Sequence, residues 1–317
     1  GMAINGGTLR ATNGSALGAE GVTIDAPGKL ELAFATDSKV ANTMTGAGVL
    51  VKTESGTATL TGGSSQVGDV TVEEGTLAFR QEGVFRAESL KTETGAVTDI
   101  GERSKLEIDG EFRQESGAML NVALGANEPA IITTNVFLSG DLTITGFDSA
   151  TMGRASQIVD RDFVVIDSAN PIQNDFSNVR IVNAGSQVDY LKVGGRVDGN
   201  QYLVGFQLSW TLTSDAHGTF TITGPDNTFI LDKALADRGQ SFGPWDGRTL
   251  PKEGAGTLVM AAPNTHTGAP PLFGGTLRPD PANAAAAREE VATAAGAPPE
   301  HHGNPHTPQH PPRHRRT

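Results

Sequence analysis

The sequence predicts an all-β chain wound as a parallel β-helix, a solenoid of short strands. Three observations carry that expectation. Short segments alternate polar and apolar residues with period two, glycine interrupts them every eight to twelve residues, and one corner-plus-strand pattern recurs along the chain. The 317 residues include 40 glycines and 34 threonines, both high shares. Cysteine is absent, which excludes a disulfide scaffold, a thiolate metal site and a cysteine nucleophile. No apolar run is long enough for a membrane helix, and the glycines have no collagen period.

The strands follow in order. Alternating segments are Lys29–Leu32, Val49–Val51, Thr57–Leu60, Thr76–Phe79, Lys105–Ile108, Asp141–Ile144 and Thr219–Ile222. Alternation buries one face and wets the other, and threonine suits such a pleated surface because its Cβ is branched. Helical periodicity is nearly missing before residue 280; the stretch Leu231–Asp237 alone reads as one or two helical turns.

Hairpins and coils compete for the turns. Asn-Gly or Asp-Gly pairs stand at 5–6, 13–14, 109–110, 198–199 and 246–247, so local hairpins remain open. Self-similarity favours coils. Gly-Gly-Thr-Leu-Arg occurs at 6–10 and again at 274–278, with looser cousins at 46–50, 74–77 and 254–258. A repeat of about 20 residues with a glycine corner predicts a solenoid. Coils of about 21 residues over positions 1–278 make about 13 turns and a rod of about 60 Å at the strand spacing.

Charge narrows the partners. The formal net charge is -12. Residues 281–317 hold four basic and three acidic residues, so the body up to Asp280 carries -13. Such a body repels phosphate and makes a poor partner for nucleic acid or an anionic membrane. Gly1-Met2 reads as a tag remnant ahead of a fragment boundary, and no signal peptide follows.

The stretch Lys252-Glu253-Gly254-Ala255-Gly256-Thr257-Leu258 runs through Asn264-Thr265-His266-Thr267-Gly268 to Gly274-Gly275-Thr276-Leu277-Arg278. It resembles the passenger-associated repeat of bacterial autotransporters, with His266 where that family has Tyr and Pro270-Pro271 in place of a Thr pair. The first ten residues resemble the tail of another copy, and 188–197, 201–206 and 216–221 resemble other passenger segments. The resemblance implies a right-handed parallel β-helix at the cell surface or outside the cell. It also implies an outer-membrane β-barrel translocator in the full-length protein, and a repeat at 252–278 that assists passenger folding. The absence of cysteine agrees with export of an unfolded chain. After Arg278 the pattern stops, and residues 279–317 read as a Pro/His/Ala-rich disordered tail, or as a truncated or frame-shifted frame.

The chemistry-bearing residues each have a plain structural reading. Five histidines (His301, His302, His306, His310, His314) sit in the proline-rich tail, where no fixed metal geometry is implied. His217 stands near Asp215 and Ser214, but no Gly-x-Ser-x-Gly elbow accompanies it, and it reads as a turn residue. Trp210 and Trp245 offer either an exposed patch or packing anchors, an inward strand residue and a turn residue respectively. For a polysaccharide lyase or hydrolase the candidates are Asp160, Arg161 and Asp162, or Asp189, Lys192, Arg196 and Asp198, against the alternative of solvated outward residues. The sequence therefore leads to no catalytic, cofactor-binding or metal residue. Its leading function is an adhesin-like passenger fragment or stalk, with host-surface or glycan ligands and self-association through open ends as its contacts. A carbohydrate-active enzyme is the alternative.

Overall fold

A computed structural model describes residues 1–125, 129–147, 153–183, 186–239 and 243–279. The expected tail lies outside the described residues from 280 onward, and with it the five tail histidines.

Parallel stacking sets the architecture. Leu30 pairs with Leu50, Leu50 with Val70 and Val70 with Leu90, so one turn takes 20 residues. Leu90 then pairs with Phe112 and Phe112 with Val136, which lengthens the turn to 22 and 24 residues. Over the described residues the chain is a nearly all-β parallel solenoid of about 12 turns. One turn reads Val22–Ile24, Lys29–Ala33, Ser38–Val40, and the next reads Met44–Thr45, Val49–Thr53, Thr57–Leu60. Each strand lies on its counterpart one turn away.

Period-two alternation places every second side chain inside. Leu30, Leu50, Val70, Leu90, Phe112 and Val136 form one buried stack, and Val40, Leu60, Phe79, Ile100, Val122 and Ile144 another. Burying each such side chain stabilises the fold by about 1.5–3 kcal/mol. Ion pairs between turns, such as Arg10–Glu31, Arg80–Asp99 and Arg86–Glu107, run along the exposed side. Each contributes about 1 kcal/mol or less there.

The regular stack changes direction at Asp162–Ser168. That strand lies parallel to Ile131–Phe137 on one edge and antiparallel to Gln201–Leu208 on the other. Gln201–Leu208 returns antiparallel to Leu191–Asp198 through the turn at Asp198-Gly199. A hairpin ribbon thus interrupts the all-parallel winding that the sequence predicts. Its turn is one of the five hairpin signals. Asn5-Gly6 is instead a corner between parallel strands, Asn13 caps a short 3-10 turn, and Asp109-Gly110 is a bulge inside the long strand Ser104–Gln114.

Beyond the ribbon, parallel winding resumes. Thr228–Leu231, Thr257–Met260 and Thr276–Pro279 stack in register. This second stack joins the ribbon side through an Arg154–Ile230 bridge and through Ser156, whose backbone N–H and hydroxyl both donate to Asp232. Leu231–Asp237 is not helical: its first residue ends a strand and the rest is irregular. The described helix is one turn, Ala155–Ile158. Trp210 lies in a 3-10 turn just past its strand rather than within it. It is fully buried and meets Trp245 edge to face at 4.8 Å, so the tryptophans anchor the second stack and form no exposed patch.

Candidate functional site

Lys52 follows Leu50 by two residues on the strand Val49–Thr53, so alternation points it inward, where its side chain is fully buried. An ammonium there needs acceptors. Its Nζ donates to the carbonyl oxygens of Thr53 at 2.7 Å and Glu54 at 2.6 Å, both on the same corner. A third bond, at 3.2 Å, reaches Glu74 O on the corner of the next turn. The side chain thus clamps two turns together.

Lys252 repeats the arrangement. It is fully buried and donates to Glu253 O at 2.7 Å, Gly254 O at 2.9 Å and, one turn on, Gly274 O at 3.1 Å. Burial pulls the pKa of both lysines below the ordinary value; at Lys52 the charges of Glu74, Glu54 and Asp37 oppose that pull. The corner beneath each clamp is left-handed, with φ of 65° at Glu54 and 76° at Gly254. Gly75 and Gly275 hold φ of 67° and 66° on the following corners. A Cβ on Gly75 would sit 2.4 Å from Glu54 O and 2.9 Å from the Lys52 ammonium, so only glycine leaves room for the clamp.

A second feature lies on the outer face of the hairpin ribbon. A shallow cleft of about 430 Å³ is lined by Asp160, Arg161, Asp162, Lys192, Arg196 and Gln207 over a glycine floor. The structure therefore brings together five of the candidate residues drawn from two separate stretches of sequence. Arg196 holds Asp162 at two points, 2.9 and 2.7 Å, and this pairing keeps the Asp162 carboxyl below its usual range. Lys233 holds Asp160 at 2.7 Å, and the Arg161 guanidinium lies 4.4 Å from the ring centre of Phe163. Asp189 stands outside the cleft and accepts from the Thr221 backbone and hydroxyl, and Asp198 sits at the hairpin turn. His217 lies in an irregular segment, its N–H bonded to Ser209 O. His266 packs against Trp210 at 5.3 Å.

The family model described as passenger-associated-transport-repeat matches residues 50–79 and 250–278. The two matches stand 200 residues apart, and Lys52/Lys252, Gly56/Gly256, Thr57/Thr257, Gly75/Gly275 and Thr76/Thr276 coincide. Each match contains one lysine clamp and the two left-handed corners it joins. Repeat and solenoid together fit an autotransporter passenger domain. A comparison with curated proteins finds no match.

The glycine signature picks out only the end of the match at 50–79, at 74–77, because Glu54 stands where the other copy has Gly254. The structure shows that Glu54 adopts the same left-handed backbone. The legible signal was alternation itself, which puts Lys52 on the inward face with Leu50.

Proposed function

We propose that this solenoid, with its two passenger-associated-transport-repeats, is a length of autotransporter passenger that serves as an adhesive stalk. It works at the cell surface or outside the cell and is exported with an outer-membrane β-barrel translocator in the full-length protein. The observation that carries this reading is the pair of lysine clamps at the two family matches. A clamp closes only when the following corner has stacked, 22 residues later in both cases. Each repeat thus favours winding turn upon turn, as suits a chain delivered end first through a membrane. Reach and repetition, rather than one pocket, supply the adhesive function.

Asp160 pairs with Lys233 and Asp162 with Arg196, as outward charged residues of a solenoid commonly do, which supports the stalk reading of this face. Antibodies against this chain should label intact, unpermeabilised cells that express the gene, and beads coated with the chain should adhere to epithelial cells above an uncoated control. Labelling only after permeabilisation would overturn the display reading. Absence of bead adhesion would overturn its adhesive part. Cleavage of a polysaccharide by the purified chain would favour the carbohydrate-active alternative.

A further inference from the structure

We propose that the cleft on the outer face of the hairpin ribbon binds an anionic saccharide unit, a sugar carrying a carboxylate or a sulfate. The floor comes from register. Gly205 pairs with Asp162 on one side and with Gly194 on the other, so two positions without side chains stand abreast. A Cβ at Gly194 would meet nothing within 4 Å, which leaves an open, flat patch of peptide. Such a floor is a flat peptide face without apolar enclosure, on which a hydroxyl-rich ring can lie and an apolar ligand gains little burial.

The walls are cationic. Along Leu191–Asp198 the outward residues are Lys192, Gly194, Arg196 and Asp198. Lys192 and Arg196 flank the glycine at four residues' separation, about 13 Å along an extended strand. Asp162 is spent on Arg196 and Asp160 on Lys233, so the cations left over in the cleft are Lys192 and Arg161. Lys192 has no acidic partner among the described residues. With both carboxylates paired, the cleft keeps a small surplus of positive charge on a chain of net charge -12. A single anionic group is attracted there, whereas a polyphosphate chain would run onto the acidic body.

The inference rests on the display reading and gives it a ligand class. The test uses the whole chain in isothermal titration at low and at physiological salt. The probes are a heparin-derived hexasaccharide, hexagalacturonate and neutral maltohexaose. Binding of one or both anionic probes, with none of maltohexaose, is expected; the two anionic arms separate sulfate from carboxylate. Lys192→Ala should weaken binding about tenfold, the loss of one charge-assisted contact. Gly194→Val suits a strand and meets open space, so it should leave thermal unfolding unchanged while blocking the floor. No anionic binding, equal binding of the neutral probe, or affinity unchanged in both variants would overturn the proposal. Surface labelling of cells would still stand in those cases, so the failures are distinguishable.

Discussion

The Lys52 ammonium reaches the carbonyl oxygen of Glu74 on the next turn of the solenoid at 3.2 Å. The same bond recurs at the other end of the chain between Lys252 and Gly274, at 3.1 Å. Strand ladders already connect successive turns. What the clamp adds is a set of charge-assisted hydrogen bonds between corners, where the ladder is interrupted.

Removing the ammonium should therefore cost more than an exposed lysine would. Lys52→Met and Lys252→Met keep the apolar stem but take the ammonium from three corner carbonyls each, of which Glu253 O retains the Ile222 N–H. We expect each to lower stability by about 2–3 kcal/mol, read as a shift of the urea midpoint. Lys252→Arg should not restore it, because the planar guanidinium does not fit a site shaped for three converging carbonyls. Wild-type midpoints in both methionine variants would refute the clamp.

Two glycines with the same backbone separate strain from collision. Gly95 has φ of 83° and open space where a methyl group would sit, whereas Gly75 has φ of 67° and backbone oxygens at 2.4 and 2.5 Å from that position. Gly95→Ala should cost about 1 kcal/mol for the left-handed backbone alone. Gly75→Ala should cost clearly more, since Glu54 and Gly56 must also move. Equal melting shifts would show that the corner yields freely.

Acid should loosen the second stack first. The Asp246 carboxyl is held below its usual range by the Thr249 hydroxyl, helped by the N–H groups of Arg248 and Thr249. Asp237 is held down by the backbone N–H and hydroxyl of Thr267. A depressed carboxylate stabilises the fold above its unfolded pKa, and that contribution is lost as pH falls through the folded value, below about pH 4. Trp210 and Trp245, the two tryptophans of the chain, report on this stack. Their emission should change below about pH 4 before the β-sheet circular dichroism falls. A change centred near pH 6 would contradict the assignment.

Association should depend on two residues. Leu272 and Phe273 are 48 % and 71 % exposed beside the edge strand Thr276–Pro279. We expect concentration-dependent association of this chain in sedimentation velocity, and a shift toward monomer in Leu272→Ser with Phe273→Ser. A strict monomer across a dilution series of the parent chain would exclude it.

The solenoid was legible because its physics is local. Period-two segments such as Thr57–Leu60 and Thr76–Phe79 are strands with the bounds their alternation implies. The repeat at 252–278 was readable from its glycines, since left-handed corners leave a mark in composition. The hairpin ribbon was harder to read. Its Asp198-Gly199 signal looks like four others along the chain, and only strand pairing distinguishes a hairpin from a corner. The cleft was legible as residue types and not as a site. Asp160, Arg161 and Asp162 meet Lys192 and Arg196 because two antiparallel pairings, through the strand Gln201–Leu208 between them, bring together positions 30 or more residues apart.

By itself the sequence determined an all-β chain, its inward and outward faces, and its glycine corners, because alternation and backbone freedom act within a few residues. The tertiary structure decided which turns reverse direction, which carbonyls receive the inward lysines and which charges share a cleft. Those outcomes depend on register between turns. Alternation turns Lys52 inward with Leu50, but the carbonyl of Glu74 that receives its ammonium arrives only from the next turn.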